Sequence, residues 1–177
     1  MLAQDAFWYT AVRIAEGMQK GDHMSEMHHE ADLGRISWDQ YCREVSKDIG
    51  VSYEKVAERY QKHKIKTSVV STIHSLQGTH RHALLSNASH TYLLPIMDHL
   101  GLSPMFESIF VSSQMGYTKP DPRAYNHVLK SMNVIAEDAL MIDDARGNID
   151  GARSVGMKVI LYHEGLDISK EIKKVTG

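Results

Sequence analysis

Four short apolar runs, separated by helical stretches, constrain this chain more than any other feature. They are His82-Ala83-Leu84-Leu85-Ser86, Ser108-Ile109-Phe110-Val111-Ser112, Ala139-Leu140-Met141-Ile142-Asp143 and Lys158-Val159-Ile160-Leu161-Tyr162. Apolar runs of this length without strict polar alternation suit strands covered on both faces, as in parallel sheets. The segments between them, Thr91 to Leu100, Pro122 to Met132 and Asn148 to Val155, carry helical signals. Asp121-Pro122 reads as an N-cap followed by proline at the first helical position, and Gly101 and Gly156 sit just past helix ends. Strands alternating with helices predict a parallel α/β sheet with right-handed crossovers. In such sheets the chemistry gathers at the carboxyl ends of the strands.

The first part of the chain is different, because no strand signal precedes His80. Ala6, Trp8, Tyr9, Val12, Ala15 and Met18 recur at helical spacing as far as Gly21. Ser37-Trp38-Asp39-Gln40 has the spacing of a capping box and opens a helix that runs to Gly50. Further helices are expected from Tyr53 to Lys66 and across Val69, Val70, Ile73 and Leu76, the latter closed by Gly78. Between the first two helices His23, Glu26, His28, His29, Glu30 and Asp32 read as a solvated polar segment. His28 and Asp32 nevertheless have the spacing of a ligand pair on one helix face. The chain thus divides into a helical unit over residues 1–78 and an α/β unit over 79–177. Asp167 to Lys174 reads as a short amphipathic helix.

At 177 residues the chain can bury a core without covalent staples. A formal charge of −2 with mixed signs lacks the basic patch of a nucleic-acid surface. Cys42 is the single cysteine, so no intrachain disulfide forms and a reducing compartment is expected. The opening residues lack a basic stretch followed by an apolar core, and no apolar run is long enough to span a bilayer. The expectation is a soluble cytoplasmic protein.

Three strand ends carry side chains with chemical potential. Ser86, in Leu85-Ser86-Asn87-Ala88-Ser89, offers a hydroxyl and nearby backbone N–H groups to an anion, or simply caps the next helix. Lys119, in Gly116-Tyr117-Thr118-Lys119-Pro120-Asp121-Pro122, is either a fixed positive charge for a phosphate or a solvated loop lysine. Asp143 and Asp144 close an apolar strand, where ionised carboxylates are costly unless a cation accompanies them. An oxygen-only cluster suits Mg²⁺, whereas a plain turn would leave Asp144 as a helix cap.

A hydroxyl, a lysine and a carboxylate pair in that order, at successive strand ends, resemble the motif order of haloacid dehalogenase-type (HAD) phosphohydrolases. The resemblance covers nearly the whole chain and implies a Rossmann-like core with an all-helical cap. It implies that Ser86, with the Asn87 backbone, binds the transferring phosphoryl group. Lys119, in Lys-Pro-Asp-Pro, would neutralise charge on nucleophile and phosphate. Asp144 would bind Mg²⁺, with Asp143 and Asn148 as further candidate metal ligands; Asn148 stands where many relatives carry a second acid. Trp8, Trp38 and Tyr41 are expected in the core of the cap.

The resemblance also implies a central strand ending in the nucleophilic aspartate, between the strands that end at Ser86 and Asp143. Met1-Leu2 aligns with the end of that motif, so strand and nucleophile are expected upstream of the sequence, which then reads as truncated. Asp5 falls on the cap side. The expected function is a Mg²⁺-dependent phosphatase of a small phosphorylated metabolite, inactive or weakly active without that aspartate. A non-catalytic phospholigand-binding or regulatory protein and a haloacid dehalogenase-type hydrolase are the alternatives. Exposed edges on the strands flanking the missing one would make a homodimer possible.

Overall fold

The computed structural model describes residues 21–61 and 66–176. The helix expected before Gly21, with Trp8 and Asp5, lies outside the described residues. Helices α1 (Gly21–Asp32), α2 (Trp38–Ile49) and α3 (Tyr53–Gln61) come first, then α4 (Thr67–Leu76). Strand β1 (Ala83–Ser86) leads through α5 (His90–His99) to β2 (Ser108–Val111). The chain continues through α6 (Ser112–Met115) and α7 (Pro122–Met132) to β3 (Leu140–Asp143). Helix α8 (Arg146–Ser154), β4 (Lys158–Leu161) and α9 (Ile168–Thr176) complete it.

Local chemistry sets the helix ends. Ser37 is extended (φ −73°, ψ 156°) and its Oγ accepts the Gln40 N–H at 3.0 Å, opening α2. Gly50 closes that helix in the left-handed region at φ 65°, where a side chain would be strained. Asp121 caps α7 through the Arg123 N–H at 2.9 Å, with Pro122 at the first helical position.

The strands pair in parallel, as expected. β1 lies on β2 from Ala83 against Ser108 to Ser86 against Val111. β3 lies on β4 from Leu140 against Lys158 to Asp143 against Leu161. Among the described residues these are two separate two-stranded sheets, so β1 and β3 do not pair directly with each other. One core nevertheless serves both, because Leu85 of β1 and Met141 of β3 pack on the same cluster of Tyr125, Leu129, Ala152 and Met157. Helix α5 covers β1 and β2 through Leu93 and Met97. Val69, Ile73 and Leu76 of α4 pack with Ile160 and with Ile168 and Ile172 of α9, which places α4 against the β3–β4 pair.

Helices α1 to α3 enclose their own core of Ala31, Tyr41, Cys42, Val45, Val56 and Tyr60. Trp38 and Tyr41 belong to it, as expected. It is joined to the α/β part by Tyr92 of α5, which stacks on Trp38 at 4.2 Å and donates its hydroxyl to the Tyr60 carbonyl at 3.0 Å. The segment read as solvated is helix α1, and its inner face is buried. Met27, Ala31 and Asp32 follow the i, i+4, i+5 pattern of one helix face, which the many polar residues disguised. No helix among the described residues is long and apolar enough to cross a membrane.

Candidate active site

Lys119 and Asp143 form the centre of the site. Both side chains are buried, and Lys119 Nζ donates to Asp143 Oδ2 at 2.7 Å. A buried charge survives only with a close opposite charge and further hydrogen bonds, and Asp143 has both. Its Oδ1 accepts from the Ala145 N–H at 2.8 Å and from Asn148 Nδ2 at 3.0 Å. The Asp143 carboxylate is therefore occupied by protein groups. Asp144, the next residue, is half-buried at the same strand end. Of the two candidate carboxylates, Asp143 is the one already engaged by Lys119, Ala145 and Asn148. Asn148 spends its amide nitrogen on Asp143, which leaves its amide oxygen as a donor to a cation.

The Lys119 loop is fixed from two sides. Asn87, one residue past the end of β1, accepts the Lys119 N–H on Oδ1 and donates Nδ2 to the Lys119 carbonyl, both at 2.8 Å. The Asn87 side chain thus clamps the backbone of the lysine, while its own N–H is the group expected at the phosphate. Ser86 precedes this clamp and is half-buried. On the other side, α8 crosses the Lys119–Pro120 peptide, which is cis. Gly151 makes the crossing possible: a Cβ there would sit 2.6 Å from the Pro120 carbonyl oxygen and 2.9 Å from Tyr125 Oη. Tyr125 donates that hydroxyl to the Asn148 carbonyl at 2.7 Å. The Ser86-Asn87 end of β1, the Lys119 loop and the Asp143-Asp144 end of β3 are therefore joined by hydrogen bonds into one constellation.

Ser112 was not singled out from the sequence, and Asp32 only as half of a helix-face pair with His28. Ser112 is fully buried; its Oγ accepts the Ala88 N–H at 2.9 Å and donates to the Asp32 carbonyl at 2.6 Å. It fastens the end of α1 to the ends of β1 and β2. Asp32 is buried with it, and burial pushes its carboxyl up to about 7 while nearby Lys119 pulls the other way. His28 Nε2 lies 3.7 Å from Asp32 Oδ2, and burial, assisted by His29, lowers the His28 imidazole to about 4. Among the described residues no group of three or more His, Cys, Asp or Glu gathers to hold a metal ion.

For Mg²⁺ the donor chemistry is suitable but partial. Asp144 and the Asn148 amide oxygen are hard oxygen ligands, and a near-octahedral ion needs more than these two. Further ligands would come from substrate, water or residues outside those described.

The model of the haloacid dehalogenase-like hydrolase family matches residues 4–156. Drimenol cyclase drtB of Aspergillus calidoustus is 25% identical over 161 residues, which covers 86% of this chain and 30% of that protein. A probable phosphoglycolate phosphatase of Pseudomonas savastanoi is 30% identical over 93 residues, covering 50% of this chain and 58% of that protein. The chain thus spans 30% and 58% of the lengths of these two relatives. A HAD family enzyme from Bacteroides thetaiotaomicron, solved in complex with magnesium and inorganic phosphate, superposes with a TM-score of 0.76 at 18% identity. That alignment covers 96% of this chain and 91% of the other and establishes a common fold. The parallel strand pairs, the helices between them and the match over residues 4–156 make this chain a member of the haloacid dehalogenase-like hydrolases.

Proposed function

We propose that this hydrolase acts on the phosphate ester of a small metabolite, with Mg²⁺, at the ends of β1 and β3. The observation that carries the reading is the buried Lys119–Asp143 pair, clamped by Asn87 next to Ser86 and followed by Asp144. A lysine held this rigidly is a preorganised point charge, and preorganised charge is what phosphoryl transfer mainly asks of a protein. Ser86 and the Asn87 N–H would orient the phosphoryl oxygens. Asp143 holds the lysine side chain in place at 2.7 Å. Asp144 and Asn148 would hold Mg²⁺, which when bound would offset charge on the phosphoryl group.

The attacking carboxylate would come from outside the described residues. β1 and β3 each pair on one side only among those residues, so each retains hydrogen-bonding capacity for the expected central strand. Until that aspartate is in place, the groups gathered here would bind a phosphorylated ligand without turnover. This is the form the binding-protein alternative takes.

Release of inorganic phosphate from an aryl phosphate and a panel of phosphorylated metabolites tests the proposal. Release that needs Mg²⁺ and disappears in Lys119→Ala is the expected result when the aspartate-bearing strand is present. Saturable phosphate binding without release by that protein would favour the binding reading. Absence of both would remove it altogether.

A further inference from the structure

The loop that leaves β1 is gripped residue by residue. The Asn87 side chain holds the Lys119 backbone at 2.8 Å. The Ala88 N–H donates to Ser112 Oγ at 2.9 Å, and the Ala88 carbonyl accepts the Ser113 N–H at 3.3 Å. The His90 N–H, at the start of α5, donates to Ser113 Oγ at 2.7 Å. Two serines that follow β2 thus take up backbone groups of the segment leading from the anion site into α5. Ser112 also reaches the helical unit, because its hydroxyl donates to the Asp32 carbonyl at the end of α1 at 2.6 Å. A hydroxyl has one proton to give, and this one has a second acceptor within reach, the Ala88 carbonyl at 3.3 Å. The shorter bond, to Asp32, takes the proton while α1 is seated. The seat is tight: Ser112 is fully buried, and Gly34, at φ 73°, leaves no room for a Cβ against the Ser113 carbonyl.

We propose that Ser112 is a positioning residue of the phosphate site, a relay through which the seating of α1 sets the loop that receives the anion. The inference rests on the reading of Ser86 and the Asn87 N–H as phosphate-binding groups. The Ala88 N–H belongs to the peptide that follows Asn87, so its bond to Ser112 fixes the Asn87 backbone from one side. The grip on Lys119 fixes the Asn87 side chain from the other. Between them the direction of the Asn87 N–H is set. A hydroxyl that donates is a better acceptor, because linked hydrogen bonds polarise one another. With α1 seated, the bond from Ser112 to the Asp32 carbonyl therefore strengthens the bond from the Ala88 N–H to Ser112. With α1 lifted, the proton turns to the Ala88 carbonyl and the Asn87–Ala88 peptide is held less firmly. Docking of α1 and capture of phosphate then favour each other, as reciprocal linkage requires. Ser112 touches no anion in this arrangement and acts through Asn87 and Ala88.

Titration with inorganic phosphate of ¹⁵N-labelled wild type, Ser112→Ala, Trp38→Leu and the double variant is the test. Trp38→Leu removes the ring that stacks on Tyr92 of α5, which loosens the helical unit while leaving Ala88 and Asp32, the partners of Ser112, unaltered. Each single substitution should weaken phosphate binding several-fold and move the Ala88 amide proton upfield, the sign of a longer hydrogen bond. Added to Ser112→Ala, Trp38→Leu should change neither any further, because the relay is already cut. A Trp38→Leu chain whose helical unit melts serves equally, since α1 is then unseated. Additive losses in the double variant, or a phosphate affinity indifferent to Ser112→Ala, overturn the role of Ser112 and leave the phosphate reading intact. Should Ser112→Ala not fold, Trp38→Leu decides alone: an Ala88 amide that keeps its wild-type shift overturns the relay. If wild type itself binds no phosphate, the positioning role falls together with the phosphate reading of the site.

Discussion

Lys119 Nζ and Asp143 Oδ2 meet at 2.7 Å across 24 residues of sequence, and neither side chain reaches solvent appreciably. That one pair joins the loop before α7 to the end of β3 and sets the position of everything else in the site.

Asp143→Ala should leave the Lys119 charge buried without its partner and cost about 3–5 kcal/mol. The urea midpoint should fall with little change in slope. Replacing both residues, as in Lys119→Met with Asp143→Leu, should restore much of the loss, because an apolar pair leaves no charge stranded. A double variant no more stable than Asp143→Ala would show that the pair is not the source of the cost.

Asn87→Ala removes both hydrogen bonds to the Lys119 backbone and should destabilise by about 1–3 kcal/mol. Phosphate affinity should fall alongside, as the lysine loses its fixed orientation. Ser37→Ala is the control: loss of the α2 cap should cost about 1 kcal/mol and leave phosphate binding unchanged. Equal effects of the two substitutions on binding would argue against a clamp.

Two glycines of α8 should respond in opposite directions. At Gly151 a methyl group would meet the Pro120 carbonyl at 2.6 Å, so Gly151→Ala should destabilise by about 1–3 kcal/mol and disturb the Lys119 loop. At Gly147 nothing lies within 4 Å, so Gly147→Ala should stabilise by up to about 1 kcal/mol through helix propensity. Thermal melts of the two variants give the comparison.

Stability should depend on pH through Asp32. Its folded carboxyl lies near 7, above its unfolded value, so the neutral form favours folding. This contribution is complete below the unfolded value, about 3.9, and is lost as pH rises through 7. Asp32→Asn should therefore exceed wild type in stability at about pH 8, by at most about 4 kcal/mol, and lose that advantage in acid. His28 works the other way: with its folded value lowered to about 4, stability falls as pH drops from 6.5 toward 4. The difference between the two proteins isolates Asp32. Denaturation midpoints across pH that coincide for both would contradict the account.

The sequence exposed the parts of this design that are local. Each strand was legible to within one residue at either end, because buried parallel strands are continuous apolar runs. The boundaries of α2 and α7 were legible through Ser37, Gly50 and the Asp121-Pro122 pair. Ser86, Lys119 and the Asp143-Asp144 pair could be recognised because sheet topology sends strand ends to one rim. What could not be read depends on contacts across long stretches of chain. Asn87 clamps a backbone 32 residues away, and Ser112 holds a carbonyl 80 residues away. A serine at the end of a strand gives no sign of either partner. Asp32 was legible only as a helix-face partner of His28; its burial was hidden by the polar composition of α1 and shows only once α1 packs against Trp38, Tyr41 and Ser112. Gly151 has no signal at all, since only the crossing of α8 over Pro120 makes its missing side chain matter.

The central claim is that the ends of β1 and β3 and the Lys119 loop hold one phosphate together. Titration of the ¹⁵N-labelled chain with inorganic phosphate and Mg²⁺, read from backbone amide shifts, tests it most directly. The account predicts saturable shifts concentrated at Ser86 to Ala88, Lys119 and Asp144 to Asn148, all abolished by Lys119→Ala. Saturable shifts at only one of these segments, or a binding site elsewhere on the protein, would contradict it.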